Sequence, residues 1–302
     1  MHYLKLIRPI NVLLIAVLMC IIKYAFFEVI KIATALSELH FIILIIAITS
    51  IAAGGNVIND IYDRSTDRIN KPNKVIVGTH ISEKNATTFY MILTILGVIA
   101  GFIVSNAIDK PNLAAVFVIV AALLYGYATS IKNTILLNNI LIAGLTAFVL
   151  ITMILFDVYP NITNSVTETT LKATQVIMHY TLFAFGINLL REIVKDIHDS
   201  DGDKNAGRNT IPIVLGRQRS IYLAFGISCL FLAATIYYLY VYFYTDKLVM
   251  LYFLICVIGP LLFLITKLWS ASSQKDLKTI STLLKVIMFF GVCSLGLYYR
   301  LF

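Results

Sequence analysis

The chain has 302 residues, of which 59% are hydrophobic and only 13% charged, with a formal net charge of +8. An ordinary water-soluble domain carries about a quarter of its residues as charges, so this balance excludes a soluble fold built around one core and describes a polytopic membrane protein. The positive excess then concerns topology and anionic headgroups, with no nucleic acid as partner.

Nine apolar stretches approach the about 20 residues that a spanning helix needs. In chain order they are 10–30, 38–58, 86–106, 112–130, 134–156, 173–191, 219–243, 247–268 and 280–300. The first is expected to remain as a helix: it is long, has no clear small-residue cleavage site and resembles the other eight. Cys20, Cys229, Cys256 and Cys293 lie singly within apolar spans, without metal-ligand spacing, and read as packing residues. The expected fold is all-α, nine transmembrane helices in one bundle forming a single domain over 1–302.

Lysine and arginine set the orientation. With the N-terminus in the cytoplasm, the inner segments hold 17 of the 24 basic residues and the outer segments hold six: Lys23, Lys31, Lys110, Lys172, Lys247 and Arg300. This positive-inside bias predicts a cell-membrane protein whose N-terminus and two longest hydrophilic stretches, cap loops at 56–85 and 191–219, are cytoplasmic. Only Lys285 is an obvious charge deep within a span.

Each cap loop carries an acidic cluster. Asn56, Asp60, Asp63 and Asp67 step by four, three and four, and Glu192, Asp196, Asp199 and Asp203 repeat those intervals. Such spacing puts each set on one face of a helix or helix end. Carboxylates gathered on one stripe repel each other unless a cation joins them, which points to divalent metal. Arg64, Arg68, Lys71 and Lys74 accompany the first cluster; Arg191, Lys195, Lys204 and Arg208 accompany the second. Acid for metal and base for anion suggest a phosphorylated substrate. The two halves form a weak internal repeat whose acidic lips would face each other across one cavity mouth.

These residues also carry a family resemblance. Asn59-Asp60-Ile61-Tyr62-Asp63-Arg64-Ser65-Thr66-Asp67 resembles the Asn-Asp-x-x-Asp-x-x-x-Asp motif of the UbiA superfamily of intramembrane prenyltransferases. The run from Asp196 through Asp199 to Asp203 is similar to that family's second motif. Arg8-Pro9-Ile10-Asn11 opens the chain as members often open, and Gly207-Arg208-Asn209-Thr210 follows the second motif where Gly-x-x-Thr is usual. The stretch Asn70-Lys71-Pro72-Asn73-Lys74 departs from the Arg-Pro pairs of many members.

The resemblance implies transfer of a prenyl group from an isoprenoid diphosphate to an acceptor within the bilayer, with Mg2+ as cofactor. Asp60, Asp63, Asp67, Asp196, Asp199 and Asp203 are then metal ligands, direct or through water, with Asn56 and Asn59 ligating or orienting. Arg64, Lys71, Lys195 and Lys204 are diphosphate candidates by their nearness in sequence to the motifs. Tyr125 and Tyr127, with Lys132 just beyond, either line a dry cavity that shelters a carbocation or form an interfacial aromatic belt with a snorkelling lysine. Asn11 is either a pocket residue or an interfacial cap.

The run from Arg191 to Asp196, continued by Gly202, Asp203, Lys204 and Gly207, looks most like the branch that adds a geranylgeranyl group to geranylgeranylglycerol phosphate, an ether-lipid synthesis. The alternative branch prenylates an aromatic acceptor for quinone synthesis, with Glu192 or Asp199 taking the ring proton. A reading from another class, a secondary transporter or cation channel, expects coupling residues near the midplane. Here the acids stand at helix ends on one side. A scaffold without chemistry leaves the paired motifs unexplained.

Overall fold

The computed structural model describes residues 1–162 and 167–300, with the side chain of Lys74 outside the description. Among the described residues nine helices are long and apolar enough to cross a membrane. They are α1 (Pro9–Phe27), α2 (Glu38–Tyr62), α3 (Glu83–Ala107), α4 (Pro111–Thr129), α5 (Leu137–Asn161), α6 (Glu168–Asn205), α7 (Arg217–Phe243), α8 (Lys247–Trp269) and α9 (Gln274–Arg300). All nine apolar stretches seen in the sequence become helices, and the described residues contain no strand beyond an isolated Val77–Ile81 bridge.

Several starts are written locally. The Ser37 and Ser82 hydroxyls accept from the backbone N–H of His40 and Asn85, each with a glutamate in the first turn. Ser273 and Asp276 form a reciprocal capping box at α9. These side chains satisfy N–H groups that a helix start leaves open.

The chain resolves into two compact units, Met1–Lys132 with Phe148–Met178, and Asn133–Ala147 with His179–Phe302. In the first unit, glycines let α2, α3 and α4 approach closely. A Cβ on Gly97 would stand 2.5 Å from Ile51 Cγ1, and one on Gly101 would stand 2.2 Å from Phe117 Cδ2. Between membrane helices, where lipid is as apolar as leucine, such small-residue contact is a main source of attraction. The segment after α2 folds back, so that Val77 and Ile81 pack with Leu6, Val57, Ile58, Ile61, Ala86 and Ala128.

Two features differ from the sequence expectation. Helix α6 runs on to Asn205, so the second motif lies within a helix and not in a loop that begins at 191. Buried Ile193, Val194 and Ile197 give that polar extension an apolar face, and the Glu192–Lys195 pair supports it at i,i+3. The second concerns charge inside the spans. Lys285 is not the one charge deep in a span: Lys23, expected in an outer segment, lies in a π-helical turn of α1, buried against Asp157 of α5 at 3.2 Å. Asp157 also sits in a π-helical turn, Ile154–Val158. Its second oxygen accepts the Leu36 N–H at 2.9 Å, and Lys23 Nζ donates to Leu36 O at 3.1 Å.

Candidate active site

In the first unit the acidic motif straddles a bend. Helix α2 ends at Tyr62, Asp63 turns with φ −90° and ψ 2°, and a short helix continues over Arg64–Asn70. The i→i−4 track survives the bend: the Asp63 N–H donates to Asn59 O, Asp67 N–H to Asp63 O, and Lys71 N–H to Asp67 O. The motif therefore keeps one helical face, as its spacing predicts.

Asp63 is the centre of this lip. Lys132 Nζ, buried just beyond α4, lies 2.7 Å from Asp63 Oδ1, and Asn59 Nδ2 donates to Asp63 Oδ2 at 2.7 Å. The same ammonium stands 5.8 Å from the centroid of the Tyr62 ring. Asn59 Oδ1 is buried without a hydrogen-bond partner among the described residues. Asp60 pairs with Arg8 at 2.7 Å, and Asn56 Nδ2 donates to Ile7 O at 3.0 Å. Together with buried Leu6, these contacts pin the N-terminal segment to the motif. Next to them His2 stacks on His80 with centroids 4.2 Å apart. Loss of solvent, then the charges of His80, Lys5 and the N-terminal amine, lowers the His2 pKa and favours its neutral form.

In the second unit the motif lies on α6. Asn139 Nδ2 donates to Asp196 Oδ2 at 2.8 Å, and Asn139 Oδ1 is a second buried amide oxygen without a partner among the described residues. His198 Nδ1 is 2.6 Å from Asp199 Oδ1. The end of α6 is a Schellman turn: Arg208 N–H donates to Asp203 O and Gly207 N–H to Lys204 O, with Gly207 at φ +67°. This reversal returns Arg208 to its own helix, where Nη1 lies 3.1 Å from Asp203 Oδ1.

Some candidates from the sequence are brought to the motif carboxylates and others are not. Lys132 and Asn59 meet Asp63. Arg64 turns away, donating to Ile61 O at 3.1 Å and pairing with Glu83 at 2.8 Å. Tyr125 stacks on Tyr90 with centroids 6.4 Å apart. Lys195 pairs with Glu192 at 3.2 Å. Lys204 is exposed and Asn11 half-buried. Three partners of the motifs did not stand out in the sequence reading. Arg8 is there only a flank and Arg208 only one of several basic residues, while Asn139 is not distinguished from the rest of the 134–156 span.

Among the described residues no three His, Cys, Asp or Glu side chains gather closely enough to cage an ion unaided. What each unit presents is carboxylate oxygen beside an unpartnered amide oxygen, a hard donor set that fits Mg2+ and does not suit a soft metal.

Residues 11–292 match the UbiA prenyltransferase family. The chain belongs to that family. It is 30% identical to the digeranylgeranylglyceryl phosphate synthase of Methanosphaera stadtmanae, across 98% of both chains. A solved structure of a digeranylgeranylglyceryl phosphate synthase has a TM-score of 0.61 at 24% identity, covering 99% of this chain and 97% of that one. A UbiA homologue from Archaeoglobus fulgidus, bound to DMAPP and Mg2+, has a TM-score of 0.60 at 18% identity, covering 98% of this chain and 99% of that one. This UbiA-family member is thus an integral membrane prenyltransferase with the family's fold.

Proposed function

We propose that this UbiA-family protein transfers a geranylgeranyl group from geranylgeranyl diphosphate to the free glycerol hydroxyl of geranylgeranylglycerol phosphate, in a Mg2+-dependent reaction. The observation that carries the acceptor is the likeness, along 98% of both chains, to a digeranylgeranylglyceryl phosphate synthase. The cofactor reading is supported by the Mg2+ and DMAPP held by the Archaeoglobus fulgidus homologue and by the hard oxygen donors at both motifs.

In this reading the C1–O bond of the allylic diphosphate breaks and its electron pair leaves with diphosphate. The glycerol oxygen bonds to C1, and its proton is released with the diphosphate. When bound, Mg2+ neutralises charge building on the leaving group. Asp60, Asp63 and Asp67 of the first unit would hold it directly or through water, with the Asn59 amide oxygen, and Asp196, Asp199 and Asp203 of the second unit would do the same with that of Asn139. Mg2+ usually takes one or two carboxylates and completes its shell with water and substrate phosphate, so a site without a three-carboxylate cage suits it. Arg8, Lys132 and Arg208, held at the motifs by their carboxylates, supply the positive charge that an anionic substrate meets. Both motifs and the N-terminus face the cytoplasm in this proposal, which rests on the lysine and arginine asymmetry.

The test is turnover of purified protein with labelled geranylgeranyl diphosphate and Mg2+, offered geranylgeranylglycerol phosphate or aromatic acids, with an EDTA control. The expected product is the ether lipid, lost with EDTA. In Asp60→Ala and in Asp199→Ala it should fall at least about 100-fold, as expected when a preorganised electrostatic contact is lost. Product from the aromatic acceptor alone would move the protein to quinone synthesis; near-normal turnover of both variants would remove the metal assignment.

A further inference from the structure

Within the first unit lies a pocket of about 590 Å³ lined by Ile58, Tyr62, Arg64, Arg68, Tyr90 and Tyr125, among others, and by none of the motif carboxylates. Its polar groups are arranged for an anion. Both arginines converge on the Gly78 turn: from the place where a Cβ would stand, Arg68 Nη2 is 3.9 Å away and Arg64 Nη1 4.0 Å. Gly78 has φ +83°, so a side chain there would be strained by the backbone conformation. Among the described residues Arg64 is engaged by Glu83, while Arg68 is exposed and carries no ion pair. Three tyrosines and Ser65 add hydroxyls to the lining.

The pocket is also open to an apolar chain. Met91 lines it, and from there Met91, Ile95, Ile99 and Phe102 follow one another as exposed side chains along α3. At 1.5 Å per residue this stripe is about 16 Å long, the scale of an isoprenoid tail. Charged head at one end and lipid-facing stripe at the other is the complement of a single-chain amphiphile.

We propose that this pocket binds the phosphate head of the acceptor, a phosphomonoester amphiphile, while its chain lies along the α3 stripe. This rests on the acceptor reading given above. Two guanidinium groups match the two charges that a phosphomonoester can carry better than the one charge of a bilayer phosphodiester. The pocket also shares a wall with the catalytic lip, since Tyr62 lines it and lies beneath the Lys132 ammonium that holds Asp63. Glu83 is the opposing charge: it occupies Arg64 and lowers the net attraction for phosphate.

The experiment measures binding of geranylgeranylglycerol phosphate to the full chain in phosphatidylcholine nanodiscs, without prenyl diphosphate or Mg2+. Arg68→Gln is expected to raise Kd about tenfold, Arg68→Lys to raise it less, and Glu83→Gln to lower it, opposite signs that general damage would not produce. In turnover, Arg68→Gln should raise KM for the acceptor by the same factor while kcat and KM for geranylgeranyl diphosphate stay at their wild-type values. An unchanged Kd in Arg68→Gln overturns the proposal, as does equal competition by phosphatidylglycerol, which would make the pocket a general anionic-lipid site. If wild type binds the acceptor but never turns it over, the proposed reaction falls and the pocket stands.

Discussion

Lys132 illustrates how much one buried charge can decide. Its ammonium and the Asp63 carboxylate are both largely out of water and 2.7 Å apart, so each justifies the burial of the other. Lys132→Met would take the ammonium away from Asp63 Oδ1, while the Asn59 amide still donates to Oδ2. We expect a loss of roughly 3 kcal/mol in stability, the scale for breaking a buried pair, read as a lower melting temperature in detergent. Adding Asp63→Asn should restore part of that loss without restoring turnover. A single variant that melts like wild type would show that the pair is not a structural partner. The pairing was half legible beforehand: Lys132 was singled out, but for a cavity wall or a snorkelling role. Sequence distance hides a contact between residues 69 positions apart.

At the scale of elements, two contacts are expected to respond differently to substitution. Gly101→Ala puts a Cβ 2.2 Å from the Phe117 ring, so α3 and α4 must separate or Phe117 must leave its rotamer. Overpacking of this kind costs about 1–3 kcal/mol, visible as faster thermal inactivation with the acceptor KM unchanged. An unshifted inactivation rate would mean that the helices yield freely. The Lys23–Asp157 pair should behave otherwise. Lys23→Met alone strands a buried carboxylate, at a cost of roughly 3–5 kcal/mol. The double variant Lys23→Met/Asp157→Leu, apolar on both sides, should regain most of that, because dehydrating two ions roughly cancels their attraction. A double variant as unstable as the single one would assign the role to the bond that Asp157 accepts from the Leu36 N–H instead.

For the whole molecule the lysine and arginine asymmetry predicts which way it stands in the membrane. With an impermeant maleimide on intact cells, Lys247→Cys should label at once and Asn73→Cys only after permeabilisation; the reverse pattern would invert the proposed topology. Hydropathy alone determined the nine helices, because a bilayer demands that every long apolar segment close its own backbone hydrogen bonds. Spacing alone placed each acidic motif on a helical face, because helical period is a local property. The family could be read from the motif pair for the same reason. Tertiary structure decided which carboxylate meets which base. The Arg8–Asp60, Lys132–Asp63 and Asn139–Asp196 contacts join distant segments, and their choice depends on helix packing that no local pattern encodes. It also placed Arg64 in the lining of the tyrosine-lined pocket and against Glu83, one helical step round from Asp63 and the acidic lip.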